Sequence, residues 1–193
     1  QKTAYEIMPS LVGSEMCIRD RPLLEELRAG PATMAFSGDG RYLGIGCEDG
    51  SVWVLDMATR RAASRWERPE PEQVVAIAPL PDGGWAGAWK GGRLSCWDAA
   101  GDERASKSMD CQIAAMAVAP RTGRVAVGNT RGEVWVWSPY LKNLLFSQPV
   151  HTDEVAHLCF VEEDRLISAT RRGEVKEVPL AGNATASGET ELL

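Results

Sequence analysis

The sequence is short of several things, and each shortage closes off a class of explanation. Only two histidines, His151 and His157, stand in 193 residues, and five cysteines include no Cys-x-x-Cys pair. The three or four converging ligands of a metal centre are therefore not in sight. An odd cysteine count also argues against a disulfide framework; Cys47, Cys96 and Cys159 fall in apolar stretches and read as buried thiols. No apolar run approaches the roughly 18–20 residues of a membrane span. No basic segment followed by an apolar core opens the chain, so no secretory leader is expected and the expected setting is cytoplasmic. Positive charge is not in excess. A net charge of −6 argues against broad nucleic-acid binding, which needs clustered Lys and Arg. No Gly-x-Ser-x-Gly elbow occurs, and neither histidine is paired by sequence with a plausible Ser and Asp. The expectation is a protein with no catalytic residue, no cofactor and no metal.

What the chain does have is a repeat. Seven tryptophans outnumber three phenylalanines, and Trp53, Trp85, Trp89, Trp97, Trp135 and Trp137 fall where strands are expected. From Met34 to Asp56 the order is strand, turn, strand, tighter turn, strand. Ser37-Gly38-Asp39-Gly40 makes the first turn and Asp49-Gly50 the second, the latter a strong hairpin signal because such turns need positive φ. The plan returns over Val74–Asp98, Ile113–Ser138 and Val155–Leu180. The second-turn glycines Gly50, Gly92, Gly132 and Gly173 stand 42, 40 and 41 residues apart. Arg61–Trp66, Glu103–Lys107 and Leu144–Gln148 are candidate fourth, outer strands. Gly44-x-Gly46-x-x-x-Gly50 is not a dinucleotide loop, since a strand rather than a helix follows it.

A period of about 40–45 residues with four strands per unit and a Trp-Asp ending is the pattern of WD40 blades. The chain resembles that family from about Pro31 to Leu180. Phe36-Ser37-Gly38-Asp39-Gly40-Arg41, Glu48-Asp49-Gly50-Ser51-Val52 and Trp97-Asp98 carry the likeness, with His151-Thr152-Asp153-Glu154-Val155 as a histidine-bearing entry to a blade. The resemblance implies an all-β fold, a partial WD40-like β-propeller of four blades of four antiparallel strands, at about 31–66, 74–107, 113–148 and 151–180. It marks Asp49, Gly50, Trp97, Asp98, Trp137 and His151 as structural blade residues. The family's buried Asp-His-Ser/Thr-Trp network is complete in no blade: Gly91, Arg131 and Arg172 stand where Asp49 stands in the first unit. The family commonly has about seven blades, so the chain is expected to be a fragment, with further blades supplied by the rest of a longer protein.

The implied role is a non-catalytic interaction scaffold. Second turns and inter-blade entries share one rim of such a disc, placing Lys90, Arg131, Arg171 and Arg172 there beside Glu67, Glu70, Glu72, Asp153 and Glu154. The bland reading is a solvated mixed-charge surface; the sharper one is that the third and fourth units offer Arg131, Arg171 and Arg172 to an acidic or phosphorylated peptide. A protein or peptide partner is expected, and neither nucleic acid nor membrane. Two alternatives remain. Asp56-Met57-Ala58-Thr59-Arg60 through Trp66 resembles the Asp-x-x-Thr-Gly-x-x-x-Trp repeat of quinoprotein-like propellers, with Arg60 at the glycine position. Such propellers are enzymes or assembly factors. The blades could instead regulate a catalytic domain encoded elsewhere in a longer chain.

Residues 1–21 stand outside the repeat and resemble translated sequencing-adapter read-through; the competing reading is a disordered extension. Residues 181–193 are small and polar and read as a tail.

Overall fold

The computed structural model describes residues 27, 29–67 and 71–180. The segment 1–21, most of Pro22–Gly30, Glu70 and the 181–193 tail lie outside the described residues.

Fifteen strands and one short 3-10 turn, Pro139–Leu141, make up the described chain. The first unit is β1 (Pro31–Phe36), β2 (Tyr42–Cys47), β3 (Val52–Asp56) and β4 (Arg61–Trp66). The second is β5 (Val74–Pro79), β6 (Trp85–Trp89), β7 (Arg93–Trp97) and β8 (Glu103–Ser108). The third is β9 (Ile113–Val118), β10 (Val125–Asn129), β11 (Glu133–Trp137) and β12 (Leu144–Pro149). The fourth is β13 (Val155–Glu162), β14 (Arg165–Thr170) and β15 (Val175–Pro179). Each unit is its own antiparallel sheet, with strands in chain order. The described residues are thus all-β, in four sheets. One expectation needs correcting: the fourth sheet has three strands among the described residues, not four, because β15 ends at Pro179 and the description ends at Leu180.

Register follows from the turns. In the first unit Gly50 takes φ 86 and returns its amide to Cys47, so that Gly46 pairs with Val52 and Tyr42 with Asp56. The turn into the outer strand is held by a carboxylate. Asp56 Oδ1 accepts the amides of Ala58 and Thr59 at 2.8 and 3.0 Å. Asp98 accepts those of Ala100 and Asp102, both at 3.0 Å. In the third unit the Ser138 hydroxyl accepts the Asn143 amide at 2.9 Å. Asp98 therefore works as a turn brace, and Arg60, at φ 56, adopts the left-handed conformation that favours glycine.

The sheets pack in series through their first strands, β1 on β5, β5 on β9 and β9 on β13; β13 and β1 share no comparable packing. Three apolar cores lie between the sheets, and a fourth cluster, Ile45, Cys47, Trp53 and Leu55, lies on the outward face of the first sheet against Leu27 and Ala29. Val52, Val54, Val74, Ile77, Trp85, Trp89 and Trp97 fill the first interface. Leu80, Leu94, Ile113 and Val127 lie in the second. Val134, Val136, Val155, Leu166 and Val178 fill the third. Burying each such side chain contributes roughly 1.5–3 kcal/mol. Sheets one and two approach so closely that a Cβ on Gly44 would lie 2.4 Å from Trp85. Polar bolts join the same neighbours. Trp66 Nε1 donates to Gly101 O at 2.8 Å, the Tyr140 hydroxyl donates to Asp82, and the Thr122 amide donates to Glu163 at 3.0 Å. Burial, then the Asp82 carboxylate, push the Tyr140 phenol up to about 12.

Exposed apolar side chains are confined to parts of the two outward faces. Met34 and Phe36 of β1, Val161 of β13 and Val175 of β15 are exposed. The expectation of a buried Cys159 is corrected for the same reason: it lies on the face of β13 opposite Leu158 and Phe160, and it is exposed. Cys47 and Cys96 are buried, and burial raises the Cys96 thiol to about 12. All four cysteines among the described residues are free.

The turn carboxylates predict an acid limit on stability. Backbone amides hold Asp56 and Asp98 below the ordinary 3.8. The Thr122 hydroxyl does the same for Glu163, below its ordinary 4.5. Depressed folded values mean stability that is present above the unfolded values and lost as pH falls through the folded ones. The melting temperature should be level between about pH 7 and 5 and should fall below about pH 4. A circular-dichroism melt at each pH checks this; a fall already complete at about pH 5 contradicts it.

Candidate functional site

A cavity of about 350 Å³ opens at the second-turn end of the sheets, and all four sheets contribute to its wall. Its lining follows the repeat. Gln73, Gln112 and Glu154 each stand one residue before an inner strand, at Val74, Ile113 and Val155. Lys90, Thr130 and Arg171 each stand two residues before a second-turn glycine. The backbone brings the two sets together: the Lys90 amide donates to Gln73 O at 3.0 Å, and the Thr130 amide to Gln112 O at 3.1 Å. Glu48 repeats the bond to Gly30 O at 3.0 Å.

The expected rim residues divide. Lys90 and Arg171 line the cavity, with Glu154 pairing to Arg171 at 3.4 Å. Arg131 and Arg172 do not line it. The Arg131 amide caps on Asn129 Oδ1 at 2.9 Å, and Arg172 pairs with Asp153 at 3.2 Å. Of the expected entry acids, Glu67 pairs with Arg65, and Glu72 accepts the amide of Gly91. Residues two before Gly92, Gly132 and Gly173 line the cavity, whereas those one before do not. Gln73, Gln112 and Thr130 were missed as site residues; the place two before a second-turn glycine marks Thr130, and the place one before an inner strand marks Gln73 and Gln112. The lining is thus two cations, one carboxylate, two amides and a hydroxyl. It can bind a polar extended segment, with an anionic group favoured by one net positive charge.

His151 has a different task. Its Nε2 lies 2.8 Å from Ser168 Oγ, and its Nδ1 2.7 Å from Glu174 Oε2. Serine, histidine and acid in that order have the connectivity of a hydrolytic triad. Exposure decides against it: the His151 side chain and Ser168 are both at 0%. No substrate carbonyl can reach that hydroxyl. The set ties the entry of the fourth unit to β14 and to the turn before β15. Lys176 first, then His151, keep the Glu174 carboxyl below its ordinary range. In the first unit Asp49 Oδ1 accepts the Ser51 amide and hydroxyl at 3.0 and 2.7 Å, and Ser51 Oγ accepts Trp53 Nε1 at 3.2 Å. Two halves of a polar network thus occur in different units. Trp97 stacks on Trp66 at 4.5 Å. The buried Trp137 Nε1 finds no acceptor among the described residues. No group of three His, Cys, Asp or Glu among those residues could hold a metal ion. No helix among them is long and apolar enough to cross a membrane.

No family profile matches this chain, and no curated protein matches it. Solved structures do. The computationally designed Ika4 protein is 24% identical, with a TM-score of 0.71 over 82% of this chain and 98% of that one. The designed Ika8 protein, also 24% identical, gives a TM-score of 0.68 over 82% of this chain and 48% of that one. The chain therefore spans about half the length of Ika8. Both likenesses concern the fold alone.

Proposed function

We propose that the four sheets are blades of a WD40-like β-propeller arc, and that the protein is a non-catalytic scaffold that docks an extended acidic or phosphorylated peptide. The observation that carries the reading is the shared cavity, to whose wall every unit gives residues, Lys90 and Arg171 among them. The serial packing of β1, β5, β9 and β13 supports the radial arrangement. Rigid sheets hold the turns, and the turns vary from unit to unit, which is how a docking surface acquires specificity. The outward faces bearing Met34, Phe36 and Val175 suit further blades beyond this stretch of sequence.

The test compares two double variants against labelled acidic, phosphorylated and basic peptides by fluorescence anisotropy. Lys90→Glu with Arg171→Glu should weaken the acidic and phosphorylated peptides at least about tenfold, near 1.4 kcal/mol. Arg131→Glu with Arg172→Glu should change affinity by less than about threefold, because those side chains lie outside the lining. The reverse order of effects would move the site to the outer rim, and no binding by any peptide would remove the proposal.

A further inference from the structure

A second cavity lies at the other end of the sheets, away from Lys90 and Arg171. It measures about 400 Å³ and is walled by the first turns of units one and two and by Pro120 of unit three. Its surface is apolar and stiff: Tyr42, Pro79, Leu80, Pro81 and Trp85 form it with Pro120. One carboxylate, Asp39, stands in the wall. Its Oδ1 takes both local bonds, from the Ser37 hydroxyl at 2.6 Å and the Arg41 amide at 3.0 Å. Those bonds, the hydroxyl first, keep the Asp39 carboxyl below its ordinary range. Its Oδ2 meets no donor among the described residues. Asp82, between Pro81 and Gly83, is a second carboxylate; its oxygens accept the Gly84 amide and the Tyr140 hydroxyl. Neither Asp39 nor Asp82 makes an ion pair among the described residues. The neighbouring cation, Arg41, lies over the Tyr42 ring at 5.1 Å and pairs with Asp56 at 3.4 Å, not with Asp39, on which its charge is the smallest of the lowering influences.

An apolar groove with carboxylates in no ion pair at its lip suits an apolar segment carrying a cation. We propose that this groove docks an extended, proline-containing peptide segment through an arginine placed against Asp39. Proline and aromatic walls fit a polyproline II ligand, which arrives with little conformational entropy left to lose. Arginine fits the lip better than lysine, because its planar fork can meet a carboxylate edge-on while its stem lies along apolar surface. The groove shares no lining residue with the opposite cavity, so the two sites are separable.

The experiment titrates the whole chain with a short synthetic proline–leucine peptide bearing one central arginine, and with its arginine-to-glutamate counterpart. Nuclear magnetic resonance follows the Tyr42, Gly83 and Trp85 signals. The arginine peptide should shift these signals saturably, and the glutamate peptide should bind at least about tenfold more weakly. Asp39→Asn keeps an acceptor for Ser37 and Arg41, and so keeps the turn. It should lower affinity for the arginine peptide about three- to tenfold and flatten its salt dependence. Lys90→Glu with Arg171→Glu should leave this binding unchanged. Equal affinity for the two peptides, an unaltered Asp39→Asn variant, or loss of binding in the Lys90/Arg171 variant each overturns the proposal.

Discussion

Gly132→Ala is expected to be among the most damaging single substitutions in this chain, while Gly173→Ala, at the same place in the repeat, should be mild. The two glycines have nearly the same backbone, φ 83 and φ 87. Forcing an alanine into that left-handed region costs about 1–2 kcal/mol at either site. Their surroundings differ. A Cβ on Gly132 would lie 2.0 Å from the His151 carbonyl oxygen and 2.8 Å from that of Asp153. A Cβ on Gly173 would meet nothing within 4 Å. The obstacle at Gly132 is backbone, and the backbone cannot yield cheaply. The amides of Val150 and His151 both donate to Gly132 O at 3.0 Å, and His151 is anchored on Ser168 and Glu174. Relief would draw His151 from its buried site. Denaturant unfolding should show about 1–2 kcal/mol lost for Gly173→Ala. Gly132→Ala should lose at least about 3 kcal/mol, or fail to fold, against a total of about 5–15 kcal/mol for a native domain. Gly50 and Gly92 face the next entry in the same way, with carbonyl oxygens 2.7 and 2.4 Å from a built Cβ, and should fall between. Equal losses at Gly132 and Gly173 would mean that the crossing segments do not lock the turns.

The comparison also explains how much of the fold could be read in advance. Strand positions were legible because alternation and turn glycines are local signals, and β4, β8 and β12 fell where Arg61–Trp66, Glu103–Lys107 and Leu144–Gln148 were expected. Partners were not legible. Cys159 sits in the apolar run Leu158–Val161, but a strand has two faces and only one of these meets sheet three. Which face goes unpaired depends on where the stack of sheets stops, and no local pattern encodes that. The site shows the same limit one level up. Arg131 and Arg171 both lie in second turns, yet one stands one residue and the other two before its glycine. That single step decides whether the residue reaches the cavity. Gln73 and Gln112 carry no charge and belong to no motif; only the inner strands they precede bring them into one wall. His151 was marked by resemblance, but its partner Glu174 belongs to a turn with no recognisable motif.

Trp89→Ala is the other substitution expected to have a large effect, and its partial counterpart Trp89→Phe separates two causes. Trp89 is 1% exposed at the interface of sheets one and two. Its ring meets Trp97 edge-on at 5.8 Å and 69°, and Trp97 stacks on Trp66 of the first sheet. Its Nε1 donates to Gly50 O at 3.1 Å, crossing from β6 to the second turn of the preceding unit. Truncation to alanine opens a cavity between sheets and should cost about 3–5 kcal/mol. That corresponds to a melting temperature lowered by about 10 °C for a domain of this length. Phenylalanine retains most of the apolar contact but leaves Gly50 O without its donor, which should cost about 1–3 kcal/mol. Trp137→Phe supplies the control, because its buried Nε1 has no acceptor to lose among the described residues. If the cross-sheet hydrogen bond matters, Trp89→Phe should melt several degrees below Trp137→Phe. Identical melting of the two phenylalanine variants would assign the whole effect of Trp89 to its packing, and would leave the link between the second sheet and the Gly50 turn without an energetic role.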